Sequence, residues 1–431
     1  MKTHYLGMAV IAIMALTAIA LPALATNEAA PANSYQQHIF VANKTSYKPS
    51  LAVEPGMINA WGISNRPKGA GGHFWVTGKE TSFEYVGDVT ASADEKLRQL
   101  HVDKLKYVKL PVGGAGLMAT GTVFSDSKDN FIITQVIPGV EPITAPAKFM
   151  FASDGGVISA WTERKLADGS FDRSGVANNV IDKSKEGAAY FGLAISAAYD
   201  RIYAANFGKH TGSGIEMFDG TFKPLDVKFD MPFDTNKNGQ VDAGEYAPFN
   251  VQALTTPEAG CPDKCFFYRP EAHHIFVTYA KTKPCPKDEI AKGECKKGEI
   301  FAGEEDADKP GQGRLAEFTE DGKLVQVWND GGKLSAPWGL AFAPANFGAL
   351  SGKLLVGNFG DVTITAFDPE TRKFVAYMKD ETGKAVHIEK LWGLLFGNGE
   401  SLGDSNALYF AAGPKDEKDG VFGVLRVAAG Q

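Results

Sequence analysis

The sequence predicts an all-β fold, a six-bladed β-propeller that occupies residues 35–431 as one domain. The main observation is a phrase of three short strands that recurs along the chain in the same order. In its clearest copy, "WGLAFAP" (338–344) is followed by "KLLVGNFG" (353–360) and "VTITAFDP" (362–369). Composition agrees, because 44% hydrophobic residues supply a core and 48 Gly supply many tight turns. Such repetition is typical of blades that stack around an axis.

Three other copies are close and two are degenerate. The close copies open with "WGIS" (61–64), "FGLAI" (191–195) and "WGLLFGNG" (392–399). The degenerate copies are "TGTVF", "NFIIT", "FMFAS", "GVISAW" and then "FNVQAL", "HIFVTYA", "GRLAEF". We expect the opening dipeptides to head the innermost strands, where Gly lets neighbouring backbones approach closely. The last copy has three strands, so "YQQHIFVAN" (35–43) is predicted to return as its outer strand and close the ring.

The N-terminus predicts export. An apolar run at 6–24 ends in "ALA" (23–25), a small-x-small pattern typical of a signal-peptide cleavage site. We expect a cleaved signal peptide at 1–25, a flexible linker at 26–34 and no membrane span in the mature chain. An uncleaved transmembrane anchor is the alternative, since the run is almost long enough to cross a bilayer. The expected location is the periplasm or the extracellular space.

The net charge of the chain limits the kinds of partner that it can bind. A formal net charge of -7 opposes electrostatic binding to nucleic acid or to an anionic membrane surface, because both are negatively charged. The expected partner is a protein, a glycan or a small molecule on the face of the propeller. We expect a monomer.

Four cysteines fall in one short region of this exported chain: Cys261, Cys265, Cys285 and Cys295. Two disulfides are expected, because such bonds form and persist outside the cytosol. Three connectivities are possible, and pairing Cys261 with Cys265 and Cys285 with Cys295 needs the shortest loop closures. A four-thiolate zinc site is the competing interpretation, but zinc ligands usually come as two close Cys-x-x-Cys pairs.

A twelve-residue segment, "DTNKNGQVDAGE" (234–245), matches the ligand loop of a calcium site. Gly239 permits the sharp turn, and Val241 is expected to anchor the loop to the core. The predicted oxygen ligands are the side chains of Asp234, Asn236, Asn238, Asp242 and Glu245 and the carbonyl of Gln240. A plain polar turn is the alternative.

The context of this calcium loop indicates a structural ion rather than a sensor. Two prolines precede the loop and Pro248 follows it, so no flanking helix pair is expected. Extracellular calcium modules typically bind at about 10⁻⁴ to 10⁻³ M. We hypothesise that Ca²⁺ ties the exit of the third blade to the inner strand of the fourth.

The segment 261–313 is the longest predicted insertion. His273 and His274 are adjacent on a strand and point to opposite faces, so we expect structural or surface roles. The acidic run "GEEDAD" (303–308) is expected to be solvated, with a second cation site as the alternative.

Several phrases together resemble a known family. They are "NAWGIS", "IYAANFGKHTGSGIEMFD", "SAPWGLAFAPANFGALSGKLLVGNFGD" and "AAGPKDEKDGVFG". The chain resembles, over residues 35–427, secreted bacterial six-bladed propellers of NHL-like architecture and uncharacterised function, some with PEP-CTERM sorting tails. The resemblance implies the fold and export, and it supplies no catalytic residue. This chain departs from the family by its calcium and cysteine loops and by ending in "VLRVAAGQ".

Two functions are compatible with these observations. The first is a non-catalytic binding module with an unknown ligand, because no nucleophile elbow, zinc-binding His-Glu-x-x-His, phosphate loop or dinucleotide fingerprint occurs. The second is a metal-dependent hydrolase or lyase that resembles lactonase-like propellers with a divalent ion at the axis. Its candidate ligands near the inner strands are Asn206, Asn250, Gln252 and Asn358. Asn206 and Asn358 end second strands, where a turn-forming role is the competing interpretation.

Overall fold

A computed structural model describes residues 1, 32–208, 213–255, 273–293, 295–307 and 309–428. The chain divides into residues 1–31 and a compact unit from residue 32 onward. Apart from Met1, the predicted signal peptide lies outside the described residues, as do Cys261 and Cys265. No helix within the described ranges is long and apolar enough to cross a bilayer.

Six sheets of four or five strands make up the compact unit, and their strands pair antiparallel except Ala52–Val53, which pairs parallel with Tyr35–Ala42. The first strand of each sheet packs against the first strands of the sheets before and after it, and the sixth packs against the first. The sheets are therefore blades around a closed axis, and the predicted six-bladed β-propeller is confirmed. Its core is divided among the layers between adjacent blades.

The first three blades each have four strands, in order from the axis outward. Blade 1 comprises Ala60–Ser64, Phe74–Gly78, Thr81–Val86 and His101–Lys109. Blade 2 comprises Ala119–Phe124, Phe149–Ser153, Val157–Trp161 and Asn178–Asp182. Blade 3 comprises Tyr190–Ile195, Arg201–Asn206, Gly214–Asp219 and Pro224–Leu225.

The other three blades follow the same order. Blade 4 comprises Tyr246–Thr255, His273–Pro284, Gly313–Phe318 and Leu324–Val327. Blade 5 comprises Pro337–Phe342, Leu354–Asn358, Ile364–Asp368 and Lys373–Tyr377. Blade 6 comprises Leu391–Phe396, Leu408–Ala412, Val421–Val427, Tyr35–Ala42 and Ala52–Val53.

The ring closes through the early strand Tyr35–Ala42, which pairs antiparallel with Val421–Val427. This confirms the predicted return of the segment 35–43 as an outer strand of the last blade. Just before it, the Asn33 side chain donates to the Tyr377 carbonyl at 2.8 Å. Residues at the end of the predicted linker therefore contact blade 5.

One residue from each inner strand forms a ring around the axis, which we call the glycine ring: Gly62, Gly121, Gly192, Asn250, Gly339 and Gly393. A Cβ added to Gly62 would lie 2.4 Å from the Thr120 carbonyl of the next blade. A Cβ on Gly393 would lie 2.7 Å from the Trp61 carbonyl, which completes the circle. The opening dipeptides head the inner strands because only Gly allows this backbone approach.

Large aromatic side chains precede the glycine ring on five inner strands, and we call this group the aromatic plug: Trp61, Phe191, Phe249, Trp338 and Trp392. The rings of Trp61 and Trp392 stack with centroids 3.7 Å apart. Stacked and edge-to-face aromatic pairs of this kind fill wedge-shaped space tightly. The axis is therefore filled on one side of the glycine ring.

A cap built from blade 4 covers the aromatic plug. It spans residues 285–307 and contains the helix Lys287–Lys292 and the strand Ile300–Glu305, which pairs with His273–Pro284. Ile300 is buried in the cluster that contains the plug. The disulfide Cys285–Cys295, with Cα atoms 6.1 Å apart, closes the base of the cap. This disulfide prediction is confirmed.

Two sequence interpretations need correction. The segment "NFIIT" is not a blade strand, because Ile132–Gln135 pairs only with Ile143–Pro146 in a two-stranded sheet beside blade 2. A second such hairpin, Glu163–Lys165 with Phe171–Arg173, follows the third strand of the same blade. The predicted irregular insertion also contains regular structure, since the second strand of blade 4 continues to Pro284.

Candidate functional site

A cavity of about 600 Å³ lies at the axis, on the side of the glycine ring opposite the aromatic plug. The inner strands form it with the residues that follow the ring positions, so we call it the axial cavity. Its apolar wall includes Ile63, Leu193, Ile195, Leu254 and Leu394. Its polar wall includes Ser64, Asn65, Thr122, Tyr199, Gln252 and His273. None of the described residues that line it is Asp, Glu, Lys or Arg.

Two polar groups of the wall face each other across the junction of blades 1 and 2. The Ser64 and Thr122 hydroxyl oxygens lie 3.1 Å apart and share one hydrogen bond. Each hydroxyl can donate once and accept twice, so the pair keeps one O–H and several lone pairs for another partner. It gives the cavity an uncharged hydrogen-bonding edge.

The predicted ligands Asn250 and Gln252 line the cavity, but their amides hold two blades together. The Gln252 side chain accepts from the Leu340 N–H at 2.7 Å and donates to the Leu340 carbonyl at 3.0 Å. Asn250 donates to the Trp338 carbonyl at 2.7 Å. Both amides thus join the inner strand of blade 4 to that of blade 5.

The other two candidate ligands, Asn206 and Asn358, lie away from the axial cavity. Asn206 accepts from the backbone N–H groups of Ala189 and Gly208, both at 2.9 Å. Asn358 accepts from the Ser335 N–H at 3.0 Å. The four residues therefore do not gather into one site, and the turn-forming interpretation of Asn206 and Asn358 fits their contacts.

The two histidines point to opposite sides of their strand, as alternation requires. His273 lines the cavity, with Nδ1 3.1 Å from the Thr255 hydroxyl, and burial lowers its pKa. His274 Nδ1 lies 2.6 Å from Glu317 Oε1. Burial would raise the pKa of Glu317, but hydrogen bonds from His274 and Arg372 hold it below its usual range. His274 and Arg372 therefore both bond the buried Glu317 carboxylate, in a network between blades 4 and 5.

The calcium-loop segment is ordered by its own side chains. The Asp234 carboxylate accepts the Gly239 N–H at 2.7 Å, and Asp242 Oδ2 accepts from Asn236 and Asn238 at 2.6 and 2.8 Å. Glu245 Oε2 accepts the Asp242 N–H at 3.0 Å. Across the described residues, no group of three or more His, Cys, Asp or Glu is placed to hold a metal ion. The three carboxylates of the expected ligand set, Asp234, Asp242 and Glu245, are therefore not gathered as such a group.

The loop is attached to the cap side of blade 4. The Thr282 N–H donates to the Glu245 carbonyl at 2.8 Å, and its hydroxyl accepts the Gly244 N–H at 2.9 Å. Val241 is buried in the same cluster as the aromatic plug, as the sequence predicts for this position. The loop therefore lies between the exit of blade 3 and the base of the cap.

Carboxyl groups with raised pKa values lie near the cap, and no motif in the sequence indicates them. Burial, followed by the charge of Glu417, raises the pKa of Glu305 to about 8. Burial raises the pKa of Glu417 to about 7 and that of Asp154 to about 6. Glu305 is half-buried rather than fully solvated, because its strand pairs with blade 4.

The chain is thus a six-bladed β-propeller. One side of its axis is filled, and the other side holds a cavity. No family model matches the chain. It is 23% identical over 392 residues to an uncharacterized protein of Acanthamoeba polyphaga mimivirus, covering 91% of this chain and 80% of the relative. A second uncharacterized protein of that virus is 29% identical over 240 residues, covering 56% of this chain and 52% of the relative.

Two solved structures show a distant likeness. One is virginiamycin B lyase from Staphylococcus aureus, at 10% identity and a TM-score of 0.39, covering 92% of this chain and 99% of that chain. The other is the soluble aldose sugar dehydrogenase from Escherichia coli, at 10% identity and a TM-score of 0.40, covering 92% and 100%. A likeness this distant carries no argument, and the fold rests on the sheets described above.

Proposed function

We propose that this chain is an exported, calcium-binding β-propeller that acts as a non-catalytic binding module, with its ligand in the axial cavity. The carrying observation is the cavity of about 600 Å³ on one side of the glycine ring, while the aromatic plug fills the other side. Ligand sites are concave and mostly apolar, with a few placed polar groups and volumes of about 300–1,000 Å³. The apolar run at 6–24 and the disulfide Cys285–Cys295 support export.

Calcium belongs to this proposal as a structural ion. Asp234, Asn236, Asn238, Asp242 and Glu245 would hold it with the Gln240 carbonyl, which together offer the six or more oxygens that Ca²⁺ requires. The Asn236 and Asn238 amide nitrogens donate to Asp242 Oδ2, so these three side chains already lie together, and their amides would turn to present oxygens to an ion. A bound ion would supply charge that draws these oxygens together. Glu245 and Thr282 would transmit this order to the base of the cap.

Native mass spectrometry tests the binding proposal. Wild-type protein incubated with periplasmic and secreted extracts should retain a small molecule at a ratio of one to one. Ala253→Trp should lose it, because Ala253 lines the cavity and an indole would fill much of the volume. Val375→Trp is the matched control, since Val375 is 50% exposed on the outer strand of blade 5. Retention that Ala253→Trp does not change would contradict a ligand in the axial cavity.

A metal-dependent hydrolase or lyase is the second candidate, and the carboxyl groups near the cap are the observation that favours it. Perturbed carboxyl pKa values are common at catalytic sites. In this version Asp154, Glu305 and Glu417 replace the predicted amides as candidate groups. Metal analysis of a Glu245→Gln variant discriminates the candidates. A divalent ion retained after the loop ion is lost would favour the enzyme, and its absence would argue for the binding module.

A further inference from the structure

The described residues that line the axial cavity bear no charged side chain, although 22% of the chain is Asp, Glu, Lys or Arg. Tyr199 and His273 are the titratable side chains among the described residues that line it. Burial raises the pKa of Tyr199 and lowers that of His273, so both side chains are neutral at pH 7. An ion entering such a cavity would lose hydration without meeting a counter-charge among the described lining residues, which is strongly unfavourable. The cavity therefore disfavours charged ligands.

The polar groups of the cavity wall differ in how many hydrogen bonds they can still make to a ligand. The Asn250 amide nitrogen and the Gln252 amide are engaged by the backbone of blade 5, and Asn250 Oδ1, which has no hydrogen-bond partner among the described residues, lies against Gly192. The Ser64 and Thr122 hydroxyls bond each other and keep further capacity. A ligand would thus meet apolar side chains over most of its surface and one hydroxyl edge.

We propose that the axial cavity takes an uncharged, largely apolar small molecule whose polar group, a hydroxyl, carbonyl or amide, meets Ser64 and Thr122. This inference rests on the proposed binding function and adds the chemical class of the ligand. Apolar contact supplies the affinity, at roughly 25 cal/mol per Å² of surface removed from water. The hydroxyl pair supplies orientation. Exclusion of ions follows from the uncharged wall.

Two fluorescent probes that share one aromatic body test this class. N-phenyl-1-naphthylamine is neutral, and 8-anilinonaphthalene-1-sulfonate adds a negative charge to the same skeleton. The neutral probe should bind saturably to wild type, and the sulfonate should bind at least tenfold more weakly. Ile195→Lys places a cation in the wall and should weaken the neutral probe and strengthen the sulfonate, each by about tenfold. Val375→Lys, on the outer strand of blade 5, should change neither.

The Ala253→Trp variant separates failure of this inference from failure of the proposed function. Circular dichroism and melting curves first establish that each variant folds. Equal affinities of the two probes, both abolished in Ala253→Trp, would overturn the ligand class and leave the binding module standing. Binding of both probes that neither Ala253→Trp nor Ile195→Lys alters would overturn the cavity as a binding site and the proposed function with it.

Discussion

Glu84 is fully buried in the third strand of blade 1, directly across from Trp75. Neither of its carboxyl oxygens has a hydrogen-bond partner among the described residues. Burial raises its pKa well above the ordinary value of 4.5, and the nearby Ser82 hydroxyl and the positive charge of Arg173 offset only part of this. In the folded state the Glu84 carboxyl therefore stays protonated at pH values where the same carboxyl is ionised in the unfolded chain.

We predict that Glu84→Gln removes a pH dependence of stability. Because the folded-state pKa exceeds the unfolded value, the contribution of Glu84 is greatest below about 4.5 and is lost as pH rises through the raised pKa. At pH 8 the variant should be more stable than wild type, because the amide does not have to take up a proton on folding. Urea unfolding at pH 5 and pH 8 measures this. Parallel pH profiles of the two proteins would contradict it.

Gly192 faces the one member of the glycine ring that is not glycine. A Cβ on Gly192 would lie 2.2 Å from Asn250 Oδ1 and 2.8 Å from Asn250 Cα. The Asn250 side chain lies against Gly192, and its amide nitrogen donates to the Trp338 carbonyl. The amide therefore fits only because its neighbour is glycine.

We predict that Gly192→Ala lowers the free energy of unfolding by about 1–3 kcal/mol, as overpacking of a tight core does. Gly175→Ala is the matched control, because Gly175 is exposed and an added Cβ there has no atom within 4 Å. Urea unfolding compares the two. Asn250→Gly in the Gly192→Ala background should recover part of the loss, and purely additive losses would argue against this contact.

At the scale of elements, the loop 234–245 joins blade 3 to blade 4 through contacts that include Thr282. We predict that millimolar calcium raises the melting temperature of wild type by a few degrees. Millimolar calcium is about 1–10 times the expected Kd of about 10⁻⁴ to 10⁻³ M, so it should stabilise by roughly 0.4–1.4 kcal/mol. Asp234→Ala should melt at the temperature of EDTA-treated wild type and should not respond to calcium. Differential scanning fluorimetry measures these shifts.

The control for this prediction is Glu370→Ala, which removes an exposed carboxylate from a turn of blade 5. It should keep the calcium response of wild type. An equal response in Asp234→Ala and wild type would contradict a calcium site in the loop. The loop would then be held by its internal hydrogen bonds alone, such as those from Asp234 to Gly239.

Most blade strands could be predicted because a repeated phrase carries more information than one strand. "FMFAS" and "GVISAW" are recognisable as strands of blade 2 by comparison with the other copies. "NFIIT" was misplaced because its alternating residues have the same period as a blade strand, and only its partner, Ile143–Pro146, distinguishes them. Pairing partners depend on the path of the chain, which a local pattern does not contain.

At the scale of the whole molecule, the axial cavity could not be predicted from any motif. Its wall is made of ordinary residues such as Ile63, Leu193 and Leu394, which become a site only because six strands meet. One signal was present in the sequence. Each of these residues directly follows a member of the glycine ring, so aligning the internal copies would have identified them. Asn250 was noted in the sequence, but its bond to blade 5 depends on register.

We predict that removal of residues 35–43 destabilises the entire ring. The strand Tyr35–Ala42 buries Tyr35, Phe40 and Val41, and large apolar side chains contribute about 1.5–3 kcal/mol each when fully buried. The loss should be roughly 5 kcal/mol or more, and the exposed edge of Val421–Val427 should promote association. Urea unfolding and size-exclusion chromatography measure these effects.

A chain that begins at Asn33 is the control, and it should behave as wild type. A synthetic peptide of residues 33–44, added to the shortened protein, should restore the monomer by pairing with the free edge. Cooperative unfolding at the wild-type urea midpoint without the peptide would show that the ring does not depend on this strand.

The same closure means that the architecture does not depend on which blade comes first along the chain. The Ala428 N–H donates to the Ser34 carbonyl at 3.0 Å, so the two ends of the described propeller lie side by side. A short peptide could join them, and the chain could be reopened in an exposed turn between two other blades. Such a circular permutant would keep every sheet and the axial cavity while changing which blade is shared between the two ends. The protein is in this sense a circle whose starting point can be moved.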